Sequence, residues 1–185
     1  MHWYISGMKY FRTFSLICVL GLFCTSCVKK ENYPDYPVIT YNSFTPFCSG
    51  GKTDSAYLRI NFTDGNGQIG YPANQSGVIP DFYIVPLVDS ANGYFTPIIF
   101  PSPYTSNDTI ISFSYQIPNI TPAGSDKELN GIIQINLENA IQEISSIPPV
   151  TNHNFNVLRF QVWIYDLQGN KSNVITTPTV YTCGY

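Results

Sequence analysis

The stretch VLRFQVWIYD, Val157 to Asp166, alternates with period two. In an extended chain Leu158, Phe160, Val162 and Ile164 share one face, and Arg159, Gln161, Trp163 and Tyr165 share the other. A segment of this kind buries one side of a sheet and wets the other. AYLRINF repeats the design, with Leu58, Ile60 and Phe62 inward and Arg59 and Asn61 outward. Six further short runs lie between Gly, Pro, Asn and Asp clusters: VITYNSF, DFYIVPLV, YFTPIIF, TIISFSYQI, NGIIQINL and VITTPTVYT. Half-buried strands joined by turns predict an all-β, antiparallel sandwich of about seven to eight strands over residues 38–185. Composition agrees: aromatics reach 15%, while charged residues are only 11% against about 25% in ordinary domains. The one helix candidate is Leu137–Ser145, where Leu137, Ile141 and Ile144 fall on a helical face.

The start of the chain is of another kind. From Met8, Lys9 and Arg12 precede an apolar run from Phe14 to Phe23, and small residues come after it. A membrane-spanning helix needs about 20 apolar residues, so this shorter run reads as a secretory signal over residues 1–26, with Met8 the better start. Thr25 and Ser26 before Cys27 resemble a bacterial lipobox, which implies that Cys27 is acylated and becomes the mature N-terminus. Acyl chains contribute about 0.8 kcal/mol per buried methylene, enough together to hold a protein on a membrane. Residues 27–37, polar and proline-bearing, then read as a tether. The C-x-x-C at Cys24 and Cys27 is therefore a processing feature. A zinc site would need a second ligand pair, and a redox pair belongs in a βαβ setting.

Beyond the signal and Cys27, two cysteines remain in the mature chain, Cys48 and Cys183. An exported compartment permits a disulfide between them, and two separate thiols are the alternative. Net charge is −3, and no basic run comes after Lys30, which sets nucleic-acid binding aside.

Two loops carry specific patterns. FTDGNGQIGYP places Phe62, Asp64, Gly65, Gly67, Ile69 and Gly70 in the form F-x-D-G-x-G-x-I-G. YDLQGNKSNVITTP places Asp166, Gly169, Asn170, Ser172, Asn173, Thr177 and Pro178 in the form D-x-x-G-N-x-S-N-x-x-x-T-P. With the lipobox, these resemble a group of Bacteroidota surface lipoproteins of poorly defined function. The resemblance implies an immunoglobulin-like domain displayed on a membrane and brings no activity with it. Lys29, Lys30 and Glu31 are similar to signals that send such lipoproteins to the outer leaflet, which implies the cell surface of the outer membrane rather than its periplasmic face. The D-[ST]-x triplets at Asp54-Ser55, Asp89-Ser90 and Asp108-Thr109 resemble the phylum's O-glycosylation sites, with Ser55, Ser90 and Thr109 as acceptors; ordinary turn chemistry is the alternative.

Asn66 and Gln68 stand where the acidic version of the first loop has carboxylates. Asp64, Asn66 and Asp166 would make a sparse calcium site, since calcium takes six to eight oxygens. A glycine-rich turn, in which Asp and Asn bond their own backbone, is the favoured reading. No cofactor is expected otherwise.

Nothing nominates a catalytic centre. No G-x-S-x-G elbow surrounds a serine, and no phosphate-binding glycine loop opens a helix. His153 falls in a polar stretch read as a loop, and Glu138, Glu143, Asp64 and Asp166 have no spacing that picks out a glycosidase pair. The expectation is a non-catalytic binding or accessory module of an outer-membrane assembly, held to the membrane by its lipid. The alternative is a glycan-binding surface module using Tyr71, Tyr94, Phe95, Tyr104 and Trp163 as contacts, with a glycosidase third.

Overall fold

The computed structural model describes residues 32–72, 79–90, 93–100, 109–121, 127–146 and 153–183, without the side chains of 100 and 153–155. The signal region, Cys27 and Tyr104 lie outside that set. Chain contacts divide the protein at Asn32/Tyr33, and the sandwich is built from Tyr33–Tyr185.

The first sheet has the order β1-β2-β8, with β1 (Val38–Ser49), β2 (Lys52–Asp64) and β8 (Leu129–Asn136). The second has the order β10-β9-β3-β4, with β3 (Phe82–Ser90), β4 (Tyr94–Pro97), β9 (His153–Ile164) and β10 (Ile175–Thr176). To it are added β7 (Phe113–Tyr115) along β3 and β11 (Val180–Tyr181) along β9. A separate ribbon pairs β5 (Ile99–Phe100) with β6 (Thr109–Ile110). All these strand pairs are antiparallel. In immunoglobulin lettering the sheets run A-B-E and G-F-C-C′.

The alternation read from β2 and β9 decides the core. Leu58, Ile60 and Phe62 meet Phe160, Val162 and Ile164 in one buried cluster, and the rings of Phe44 and Phe160 touch across the layers at 5.8 Å. One short helix, α1 (Glu138–Ser146), buries Ala140, Ile141 and Ile144 against the same core. Asn136 caps it by accepting the Glu138 N–H at 3.0 Å.

Three of the eight runs break in two: VITTPTVYT gives β10 and β11, both along β9, and the other two break where β3 changes partner along its length. β7 takes residues 82–84 and β4 takes 87–90. Val85 and Pro86 fall between, and a proline, which has no N–H to donate, sits where that edge of the strand is handed over. His153 opens β9, paired with Ser90, and is not in a loop. The tether also differs from expectation. Tyr33, Pro34 and Asp35 bind the domain: Pro34 accepts the Gly65 N–H at 2.7 Å, Asp35 accepts from the Asn66 amide at 2.8 Å, and the Asn130 amide donates to the Tyr33 hydroxyl at 2.9 Å. Gly65 permits this because a Cβ there would overlap the Tyr33 and Pro34 carbonyls.

Candidate functional site

Both signature loops lie at one end of the sandwich, the B–C and F–G end, and their polar side chains are spent on backbone. Asp64, fully buried, accepts the N–H groups of Asn66 at 2.9 Å and Gly67 at 2.7 Å. Asn66 in turn accepts from Gln68 at 3.1 Å. Asp166, also buried, repeats the device: its Oδ1 accepts from Gln168 and Asn170, and its Oδ2 accepts the Asn170 amide at 2.7 Å. The two turns are stitched together where Leu167 donates its N–H to the Gln68 carbonyl at 2.8 Å.

The rest of the second signature is architectural as well. Ser172 accepts the Ile164 N–H, and Thr177 both accepts from and donates to Phe160 through its hydroxyl and its own N–H. Gly70, at φ +79°, lets the chain pass against Ile117 and Pro118, where a Cβ would strike the Pro118 carbonyl.

Two carboxyls at this end are pushed upward. Burial raises Asp64, its two N–H donors partly oppose this, and the nearby Asp166 charge adds to the rise. Asp81 was not singled out in the sequence, yet it joins three segments: its N–H donates to Tyr115, its carbonyl accepts from Tyr165, and its Oδ1 accepts the Ile117 N–H at 2.7 Å. Burial lifts its carboxyl to about 6.

The calcium trio is therefore held as turn acceptors. Of the oxygens of Asp64, Asn66 and Asp166, only Asp64 Oδ2 lacks a hydrogen bond among the described residues. One free oxygen does not fit an ion that takes six to eight, and no group of three metal-ligating side chains occurs among the described residues.

Of the five expected contact aromatics, Tyr104 lies outside the described residues; Tyr71 and Trp163 are both neighbours of Tyr83, while Tyr94 and Phe95 belong to the β3–β4 hairpin. Tyr94 is exposed in the β3–β4 hairpin, Phe95 carries the Arg159 guanidinium 4.2 Å from its ring centroid, and Tyr71 lies beside Ile117 in the B–C loop. Trp163 stacks on Tyr83 at 5.5 Å with nearly parallel rings, and Tyr165 meets the same Tyr83 edge-on at 5.6 Å. Lys171 sits 4.5 Å over the indole. Tyr83 reaches Trp163 from β3, and Lys171 reaches it from the β10 side of β9. Tyr83 carries no motif; only the register of β3 against β9 brings it to Trp163 and Tyr165.

No family model, curated protein or solved structure matches this chain.

At the opposite end, a cleft of about 740 Å³ lies between α1, the start of β2 and the C-terminal segment. It contains Asp54 and Glu138, both exposed, while Glu143 is on α1 outside the lining. Beside it Cys48 and Cys183 are joined in a disulfide, with Cα atoms 5.7 Å apart and Cys183 lining the cleft. Of the three triplet hydroxyls, Ser55 is half-buried inside β2, Ser90 donates to the Tyr94 carbonyl at 2.7 Å, and Thr109 is exposed in β6.

Proposed function

We propose that this chain is an exported, lipid-anchored, non-catalytic binding module that serves as an accessory component of an outer-membrane assembly. The observation that carries the reading is the use of Asp64 and Asp166. Both carboxylates lock turns, and the turns are bonded to each other, so residues 64–70 and 166–170 serve as ordered presenters rather than reactive groups. Leu167 and Ile120 bond through their N–H groups to Gln68 and Ile69, and both keep their side chains more than a third exposed. Apolar side chains on a pre-ordered loop end suit a protein partner, because little ordering entropy remains to be lost on contact.

Export is supported by the lipobox-like Cys27 and by the Cys48–Cys183 bond, a linkage at home in oxidising compartments. A glycan platform would need open ring faces, and Trp163 and Phe95 have theirs engaged by Tyr83, Lys171 and Arg159. A glycosidase acid needs an apolar pocket to hold its proton, and Asp54 and Glu138 are exposed.

The test is crosslinking in intact cells, then purification through a C-terminal tag and mass spectrometry. The expected result is a stoichiometric outer-membrane partner whose recovery falls at least tenfold for Leu167→Glu with Ile120→Glu. Equal recovery of the same partner by that variant would show that the loop end is not the binding surface.

A further inference from the structure

The chain enters its sandwich at the signature-loop end and is seated there before β1 begins. The Pro34 carbonyl takes the Gly65 N–H, the Asp35 carbonyl takes the Asn66 amide, and the Tyr33 hydroxyl takes the Asn130 amide. A Cβ on Gly65 would strike the Tyr33 and Pro34 carbonyls, so the seat is built into the loop. Tyr33 is six residues after Cys27, and six residues extend at most about 20–22 Å. β2, 13 residues from Lys52 at the cleft to Asp64 at the loop end, spans about 40 Å. A lipid on Cys27 therefore keeps the loop end beside the membrane, and the tether is too short to reach from its seat to the cleft.

Large apolar side chains are exposed at this same end. Leu167 and Ile120 are joined there by Ile79, Tyr36 and Val174, with Ile79 at 71%. Tyr36 follows the seated Asp35, and Ile79 lies two residues before Asp81, which bonds Tyr165. Val174 follows Asn173, which holds Ile39 beside Phe62.

We propose that the loop end faces the bilayer that holds the lipid, and that the partner it fits is a protein embedded in that bilayer and met at headgroup level. The cleft and the Cys48–Cys183 bond then point away. This placement rests on acylation of Cys27 and on the loop end as the binding surface, and it adds which kind of partner meets that surface and from which side. Exposed Asp35 and Lys127 stand beside Asn66 and Gly67, among the apolar side chains. Hydrocarbon would strip both charges of water, whereas a protein surface can pair them. Reach selects an embedded protein, because a tether raises effective concentration only for sites that it can span.

The test begins with the purified acylated chain in lipid vesicles. It should float with them; a chain that does not float ends the anchoring reading and this placement together. In the floated vesicles, a dye on Lys127→Cys should transfer energy to acceptor-labelled headgroups several-fold more efficiently than a dye on Glu143→Cys. Both positions are exposed, the first beside the signature loops and the second on α1 near the cleft. Equal transfer, or more from Glu143→Cys, would overturn the placement and leave anchoring intact. In intact cells, a benzophenone side chain in place of Leu167 should give an adduct with a protein that, uncrosslinked, stays in the membrane through an alkaline carbonate wash. An adduct with lipid, an adduct with a protein that the wash releases, or no adduct would overturn the embedded partner.

Discussion

Asn173 holds Ile39 by both of its backbone groups: Asn173 Oδ1 accepts the Ile39 N–H at 2.8 Å, and its Nδ2 donates to the Ile39 carbonyl at 2.9 Å. A side-chain amide thus stands in for a strand neighbour and ties β1, in one sheet, to the segment before β10 in the other. Ile39 is fully buried, so removing the amide leaves a donor and an acceptor unpaired. Asn173→Ala should cost about 2–3 kcal/mol in urea unfolding. Asn173→Asp keeps an acceptor but turns a carboxylate on the Ile39 carbonyl, and should be at least as damaging. A change within about 0.5 kcal/mol for both would show that the sheets do not depend on this contact.

Gly70 and Gly169 separate two reasons for glycine. Both have positive φ, +79° and +83°, but only Gly70 has the Pro118 carbonyl where a Cβ would go, and Gly169 has nothing within 4 Å. Gly169→Ala should therefore cost only the left-handed conformation, about 1–2 kcal/mol. Gly70→Ala should cost a further ~1–3 kcal/mol from overlap with backbone. Equal midpoints for the two variants would refute the close approach.

Legibility in the sequence tracks the range of the interaction. β2 and β9 were readable because their alternation is local, and so were the Asp64 and Asp166 turns, whose bonds reach only two to four residues. The Asn173–Ile39 contact spans 134 residues, and nothing near either residue announces it. Tyr83 and Trp163 meet only once β3 and β9 are in register, and Asp81 looks like an ordinary turn residue until Tyr115, Ile117 and Tyr165 are placed around it. The break between β4 and β7 was hidden because DFYIVPLV reads as one uniform strand, although its two halves have different neighbours.

Asp81 gives the protein an uncommon pH response. Its carboxyl ionises near 6 when folded and near 3.8 in a free chain. Between those values the folded state holds a proton that the unfolded state has released, so this group's contribution to stability falls as pH rises through the interval and levels above about 6. Asp64, raised in the same direction, adds to the slope. The melting midpoint should climb as pH is lowered from 7 to 5, and Asp81→Asn should flatten that climb. A wild-type midpoint that falls over the same range would contradict the buried-carboxyl reading.

Calcium offers a clean check on the loop end. If Asp64, Asn66 and Asp166 are turn acceptors, the melting midpoint in millimolar calcium should match that in EDTA. Asp64→Asn, which keeps an acceptor for Asn66 and Gly67, should melt near wild type, while Asp64→Ala loses two charge-assisted bonds and about 2–3 kcal/mol or more. A calcium-dependent rise in the midpoint, abolished in Asp64→Asn, would make the loop a metal site.

Export and lipid anchoring are tested together by the intact mass of the mature protein taken from native membranes. The expected mass is that of a chain beginning at acylated Cys27 and lacking the two hydrogens lost in the Cys48–Cys183 bond. A chain that retains residues before Cys27, carries no acyl group and has both thiols free would contradict export and anchoring alike.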